Sequence, residues 1–265
     1  MIATLDIPFD SNSSFLKGPA LAPSKIREAF HSDSANYFSE NFIDLKSHSG
    51  VKDLGPLNFS ENTHFSDVIT SAVKEVLSNY DKILSLGGDH SITYPIIRGV
   101  ASKYKDLTIL HIDAHPDLYE NFEGNRFSHA SPFARIMEEG LATRLVQVGI
   151  RTMSQHQREQ AEKYGVEVIH MKNFNPQHRF NFRGPVYVSL DIDAIDPAFA
   201  PGVSHHEPGG LSSREVISIL QNLSPTVIGA DLVEFNPIRD PSGITAMLAA
   251  KLYKELLDLL LRSEQ

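Results

Sequence analysis

The chain contains no cysteine, which excludes disulfides, thiolate metal ligands and a thiol nucleophile together. It has no tryptophan, and no run of about 18 or more apolar residues that would read as a membrane-spanning helix. Lysine and arginine form no basic run, and the formal net charge is -9. That balance argues against nucleic acid as a partner and suits a cationic small molecule. The opening MIATLDIPFD lacks a basic leader and an apolar h-region and reads straight into a strand. A cytoplasmic protein with no cleaved signal and no membrane association is therefore expected. What is present is an ordinary globular composition, 41% hydrophobic and 22% charged over 265 residues, with enough chain to bury a sizeable core.

Short apolar runs alternate with amphipathic stretches. Strands are expected at Ile2–Ile7, Lys82–Leu86, Thr108–Ile112, Leu145–Gly149, Val166–His170, Val186–Asp191 and Thr226–Asp231. They are rich in Val, Ile and Leu and show little polar alternation, as strands buried on both faces should. Helices are expected at Pro23–Phe30, Ser66–Asn79, Ile92–Lys103, Pro132–Glu138, Gln155–Tyr164, Ser213–Gln221 and Ala246–Leu261. Ser212 followed three residues on by Glu215 is a capping-box signature. The alternation defines an α/β fold, with a mostly parallel sheet between helices on both faces. No repeat, low-complexity segment or dividing linker is evident, so residues 1–265 are expected to form a single domain. Lys172–Pro185, with little periodicity, reads as a surface loop.

In such sheets ligands bind at the carboxyl ends of the strands, and the polar clusters of this chain fall there. They are Gly87-Gly88-Asp89-His90-Ser91, Asp113-Ala114-His115-Pro116-Asp117, Asp191-Ile192-Asp193-Ala194-Ile195-Asp196 and, after the last strand, Glu234. Extended backbone puts residues i, i+2 and i+4 on one side. Asp113, His115 and Asp117 can therefore point one way, as can Asp191 and Asp193. With His90 they bring four carboxylates and two imidazoles to one sheet edge. Four buried aspartates repel unless neutralised, and two divalent cations supply the balance. Oxygen-rich ligands with two histidines and no cysteine favour Mn²⁺ over Zn²⁺. Such a carboxylate-bridged pair generates a hydroxide at neutral pH. A single Asp at a strand end is more often a cap or turn residue. Three Asp/His clusters at three strand ends reverse that preference.

The segments SLGGDHS, HIDAHPDLY, SLDIDAIDPAFAPGVSHHEPGGLS and GADLVEFNP resemble the signature segments of the ureohydrolase family, the arginases and agmatinases. The likeness extends from PFD…KGPALAPSKIREAF to GITAMLAAKLYKELL, and FEGNRFSHASPFARIMEEG looks closest to plant-type arginases. The resemblance implies the three-layer arginase-like fold and two manganese ions per subunit. One would be held by His90, Asp113, Asp117 and Asp191, the other by Asp113, His115, Asp191 and Asp193. It implies His129 as the proton shuttle, Glu234 as the partner of a guanidinium, and Asp231 as support behind the ligands. It also implies a homo-oligomer, trimeric or hexameric. This agrees with the residues read alone, because a guanidinium is a poor electrophile that needs a strong nucleophile, an orienting carboxylate and an acid for the departing amine.

The expected reaction is hydrolysis of L-arginine to L-ornithine and urea, with agmatine or another guanidino compound as the alternative. Arginine differs from agmatine in its α-carboxylate, and Asn125 and Arg126, just ahead of His129, are the candidates to meet it. Arg126 as a solvated loop residue is the opposing view. A one-zinc deacetylase on a related fold is the second alternative and a non-enzymatic metal-binding subunit the third. His111 reads as a satisfied core residue, and His205 and His206 are left unassigned.

Overall fold

The computed structural model describes residues 1–59, 63–223 and 226–263. Eight strands, β1 Ile2–Ile7, β2 Val51–Pro56, β3 Lys82–Gly87, β4 Thr108–Ile112, β5 Arg144–Ile150, β6 Glu167–His170, β7 Val186–Asp191 and β8 Val227–Val233, form one sheet. Their order is β2-β1-β3-β8-β7-β4-β5-β6, and every pairing is parallel. Seven helices connect them: α1 Ala22–Phe30, α2 Phe65–Asn79, α3 Thr93–Val100, α4 Pro132–Glu138, α5 Gln155–Tyr164, α6 Ser213–Asn222 and α7 Ile244–Arg262.

The strand period of two sorts residues between two cores. Leu84, Leu110, Val188 and Ala230 face α1, α6 and α7, where Ile26, Leu220, Leu252 and Leu256 cover them. Ile83, Ile109, Leu145 and Tyr187 face the opposite layer, against Ile69, Val73, Ile96 and Phe133 of α2, α3 and α4. The α-β-α layering expected from the sequence is therefore observed, with central strands buried throughout.

β2 was not expected. Its sequence VKDLGP carries two charges, a glycine and a terminal proline, and it is largely exposed. These residues are tolerated because it is an edge strand, paired only with β1. α3 ends at Val100 rather than Lys103, and α7 starts two residues early. There Gly243 turns the chain with φ 73° and Asp240 accepts from the Ala246 N–H at 2.8 Å. The Ser212–Glu215 capping box forms both of its bonds. The 172–185 segment is irregular as expected, but Phe182 is buried and packs with Phe180 at a centroid distance of 5.5 Å.

Candidate active site

β3, β8, β7 and β4 end side by side, and the expected polar residues follow their last positions. His90 opens a 3-10 turn just past β3, where the Asp89 carboxylate accepts from the Ser91 N–H at 3.1 Å. Asp191 closes β7 and Asp193 sits on the 3-10 turn after it. Glu234 follows β8 in a left-handed conformation, φ 64°, and Asp117 has φ 50°. Both are strained positions for non-glycine residues, and strain of this kind clusters at functional sites. Gly88 is sterically required: a Cβ there would lie 1.9 Å from the Phe9 carbonyl oxygen. The loop after β1 thus lies directly on the turn that carries His90.

The hydrogen bonds of His90 test whether a cation fits. Ser189 donates its hydroxyl to Asp231 Oδ1 at 2.7 Å, so its oxygen accepts from His90 Nε2 at 2.9 Å. In the neutral ring Nδ1 is then a lone pair, buried and without a hydrogen-bond partner. It points at Asp117 Oδ2 at 3.1 Å and at Asp113 Oδ2 and Asp191 Oδ2, each at 3.2 Å. A lone pair facing three carboxylates demands positive charge between them. His115 Nδ1 similarly faces Asp193 Oδ2 at 3.1 Å and Asp113 Oδ1 at 3.5 Å. Two donor groups with the spacing of metal sites result: His90, His111, Asp113 and Asp117, and Asp113, His115 and Asp193. Asp113 belongs to both. The residues present therefore fit a pair of cations.

The titration of the cluster points the same way. Burial, then Asp193 and Asp113, push Asp191 well above the usual carboxylate range. Burial also raises Asp193. Burial opposes charge on His90, but Asp113, Asp117 and Asp191 more than offset it and hold its pKa well above the ordinary value, so that without a cation a proton takes the place at Nδ1 that the three carboxylates reserve for positive charge. Burial and like charge thus oppose ionisation of Asp191 and Asp193, and added positive charge would relieve it.

Beside this cluster, His129 Nδ1 bonds Glu234 Oε1 at 2.7 Å and Nε2 bonds Ser14 Oγ at 2.7 Å. Burial lowers the pKa of His129, yet Glu234 outweighs burial and raises it to about 9. The same Glu234 oxygen accepts from the His90 backbone N–H at 2.9 Å. Ser14 was not expected as a site residue. Asn12-Ser13-Ser14 follows β1, so the strand-end rule that found the other clusters applies to it as well. Asp89 fixes that loop, accepting from Asn12 N at 3.0 Å and Ser13 Oγ at 3.1 Å.

A cleft of about 240 Å³ opens onto these groups. Asp117, Asp191, Asp193, His115, His129 and Glu234 line its floor and walls; Ser14, Tyr119, Thr152, Gln157, His205 and Glu207 offer further polar atoms. Among the described residues no lysine or arginine lines it. Asn125 and Arg126 are not brought to the cleft. Arg126 turns outward to pair with Glu138 Oε2 at 2.7 Å, and Asn125 bonds Asn12 Oδ1 at 3.2 Å. Glu138, the last residue of α4, holds the guanidinium that was expected to reach the substrate. Of the two unassigned histidines, His205 lines the cleft and His206 bonds the Pro201 carbonyl oxygen at 2.8 Å.

A three-layer parallel α/β fold with an Asp/His double donor cluster and a Glu–His pair above it is the architecture of a metal-dependent amidine hydrolase. The chain matches the Arginase family over residues 1–258 and belongs to it. It is 49% identical to "Arginase 1, mitochondrial" of Arabidopsis thaliana, covering 95% of this chain and 79% of that one. It is 33% identical to the agmatinase of Bacillus anthracis, covering 95% and 89% respectively. The solved arginase of Medicago truncatula superposes with a TM-score of 0.91 at 43% identity, over 98% of this chain and 87% of that one. The Arabidopsis relative is named as mitochondrial, a different compartment from the one expected above. No helix among the described residues is long and apolar enough to cross a membrane.

Proposed function

We propose that this arginase-family hydrolase converts L-arginine to L-ornithine and urea with two manganese ions, residues 1–265 acting as one domain. The observation that carries the proposal is the bare His90 Nδ1 facing three aspartates, next to a second donor group that shares Asp113. His90, Asp113, Asp117 and Asp191 would hold one ion and Asp113, His115, Asp191 and Asp193 the other. When bound, the ions neutralise the carboxylates and make water a competent nucleophile at neutral pH. Glu234 orients the guanidinium, placing its carbon against the metal edge of the cleft. His129, protonated at neutral pH, gives a proton to the side-chain nitrogen as its bond to the guanidinium carbon breaks. Ser14 holds the far ring nitrogen and so fixes the ring plane. Asp231, through Ser189, keeps the His90 Nε2–H satisfied and its Nδ1 free.

The 49% identity to a plant arginase supports arginine as substrate. The cleft lining favours a second reading, in which agmatine is also cleaved. With Glu207 in its lining and no lysine or arginine among the described lining residues, the cleft offers a distal ammonium a carboxylate partner. Urea release from arginine, agmatine and guanidinobutyrate by Mn²⁺-loaded protein tests both readings. Arginine is expected to turn over fastest; faster agmatine cleavage would reverse the assignment, and no urea from any of them would remove it.

A further inference from the structure

His111 lies in the middle of β4, fully buried, and its Nε2 or Nδ1 falls within metal-site distance of His90, Asp113 and Asp117. It is either a ligand or a support, and its hydrogen bonds decide between the two. Gln147 is its register partner on β5. Gln147 Nε2 lies 2.7 Å from the Pro116 carbonyl oxygen and 3.0 Å from His111 Nδ1. A carbonyl can only accept, so the amide atom facing it must be the nitrogen, and the second hydrogen of that nitrogen is aimed at Nδ1. Nδ1 is therefore the unprotonated ring nitrogen, already engaged, and Nε2 carries the hydrogen. Nε2 lies 2.7 Å from Asp113 Oδ2 and donates to it. Neither nitrogen has a lone pair free for a metal. The ring is also stacked on Phe133, with centroids 3.8 Å apart and planes at 29°, which opposes a flip.

From this geometry we infer that His111, whose Nε2–H is fixed towards Asp113 by the Gln147 amide on Nδ1, is a positioning residue that aims the shared aspartate Asp113 and is not itself a ligand. The inference rests on the two-cation reading given above. Gln147 does double duty, because Pro116 lies within the Asp113–Asp117 ligand segment. One amide thus fixes both the histidine tautomer and the course of the ligand loop. It does so although its own Oε1 is buried without a protein partner, as expected if the two acceptors on the nitrogen side dictate the orientation.

The test is His111→Phe, which keeps a flat ring on Phe133 and removes the donor to Asp113 together with the acceptor for Gln147. Chelator-stripped protein is titrated with Mn²⁺, stoichiometry at saturation is read by elemental analysis, and the metal-free melt is followed by circular dichroism. The expected result is an unchanged metal-free melt, two ions at saturation, and affinity weakened about 10- to 100-fold, the usual effect of removing a hydrogen bond to a ligand. His111→Gln, which offers an N–H from the same strand position, should recover part of the loss. Gln147→Met leaves His111 in place and should weaken binding in the same direction by less, so it carries the test if the phenylalanine variant does not fold. Wild-type affinity in these variants would overturn the inference. So would a single ion at saturation, since that would make His111 a ligand. A wild-type protein that binds no Mn²⁺ would instead overturn the two-cation reading beneath it.

Discussion

Two charged clusters in this molecule differ in one respect. Where α1 meets β1, β2 and α7, every nitrogen of the Arg27 guanidinium donates. Nε bonds Asp6 at 3.2 Å and Nη1 bonds Tyr253 at 2.8 Å, while Nη2 bonds Thr4, Asp6 and Asp53 at 3.1, 2.8 and 2.9 Å. That network contains its own counter-charge. At the ends of β3, β7 and β4, by contrast, a bare imidazole nitrogen faces three carboxylates. A charged cluster whose donors and acceptors match needs nothing from outside and is part of the scaffold. One whose like-signed groups still face each other is built around something positive.

The sharpest way to break that contrast is Asp191→Ala. Removing a carboxylate shared by both proposed ion sites should drop urea release to background and strip the bound metal, as elemental analysis would show; a variant with full metal and activity would return Asp191 to the scaffold. His129→Asn should lower kcat by roughly 10²–10⁴, the usual worth of a general acid, while metal content stays at the wild-type level. Loss of metal in that variant would instead make His129 a ligand.

A pH effect comes next in size. His129 is raised from 6.5 to about 9, so its ion pair with Glu234 stabilises the fold fully below about pH 6.5 and the effect is lost as pH rises through about 9. At 1.36 kcal/mol per pH unit the shift corresponds to about 3 kcal/mol. In metal-stripped protein the gap in Tm between wild type and Glu234→Gln should therefore be widest near pH 6 and narrow towards pH 10. A gap independent of pH would mean the pair is not charged. The smallest effect is expected at Arg126→Ala. Arg126 and Glu138 are 48% and 38% exposed in their side chains, and Arg135 also pairs with Glu138. Loss of such a matched surface pair costs about 0.2–1 kcal/mol, with KM for arginine unchanged; a raised KM would bring Arg126 back to the substrate.

The buried strands and the convergence of six Asp and His side chains at one sheet edge were legible because both follow from short-range rules. A strand covered on both faces needs an unbroken apolar run, and residues two apart on extended backbone share a side. β2 escaped because an exposed edge strand obeys neither rule. The course of Arg126 was not legible because the direction of a long side chain on a loop depends on the acids near it in space, here Glu138 on α4 twelve residues on. Gln147 and Ser14 were illegible as partners of His111 and His129 for a related reason. Nothing in a one-dimensional pattern states that β5 lies beside β4, or that the loop after β1 folds over the β3 turn.

The position of β8 also governs how the molecule is assembled in time. It is the last strand in the sequence, yet it lies between β3 and β7, bridging Ile83 to Gly229 on one side and Val188 to Ala230 on the other. His90 follows β3 while Asp113, His115 and Asp117 follow β4, and these two strands reach their final spacing only with β8 and β7 between them. Closing a loop of that length is slow. Mn²⁺ is therefore expected to leave the rate of the main refolding phase unchanged and to slow unfolding, which stopped-flow circular dichroism with and without the ion can check. On this topology a bound ion would lock a finished sheet; it would not seed one.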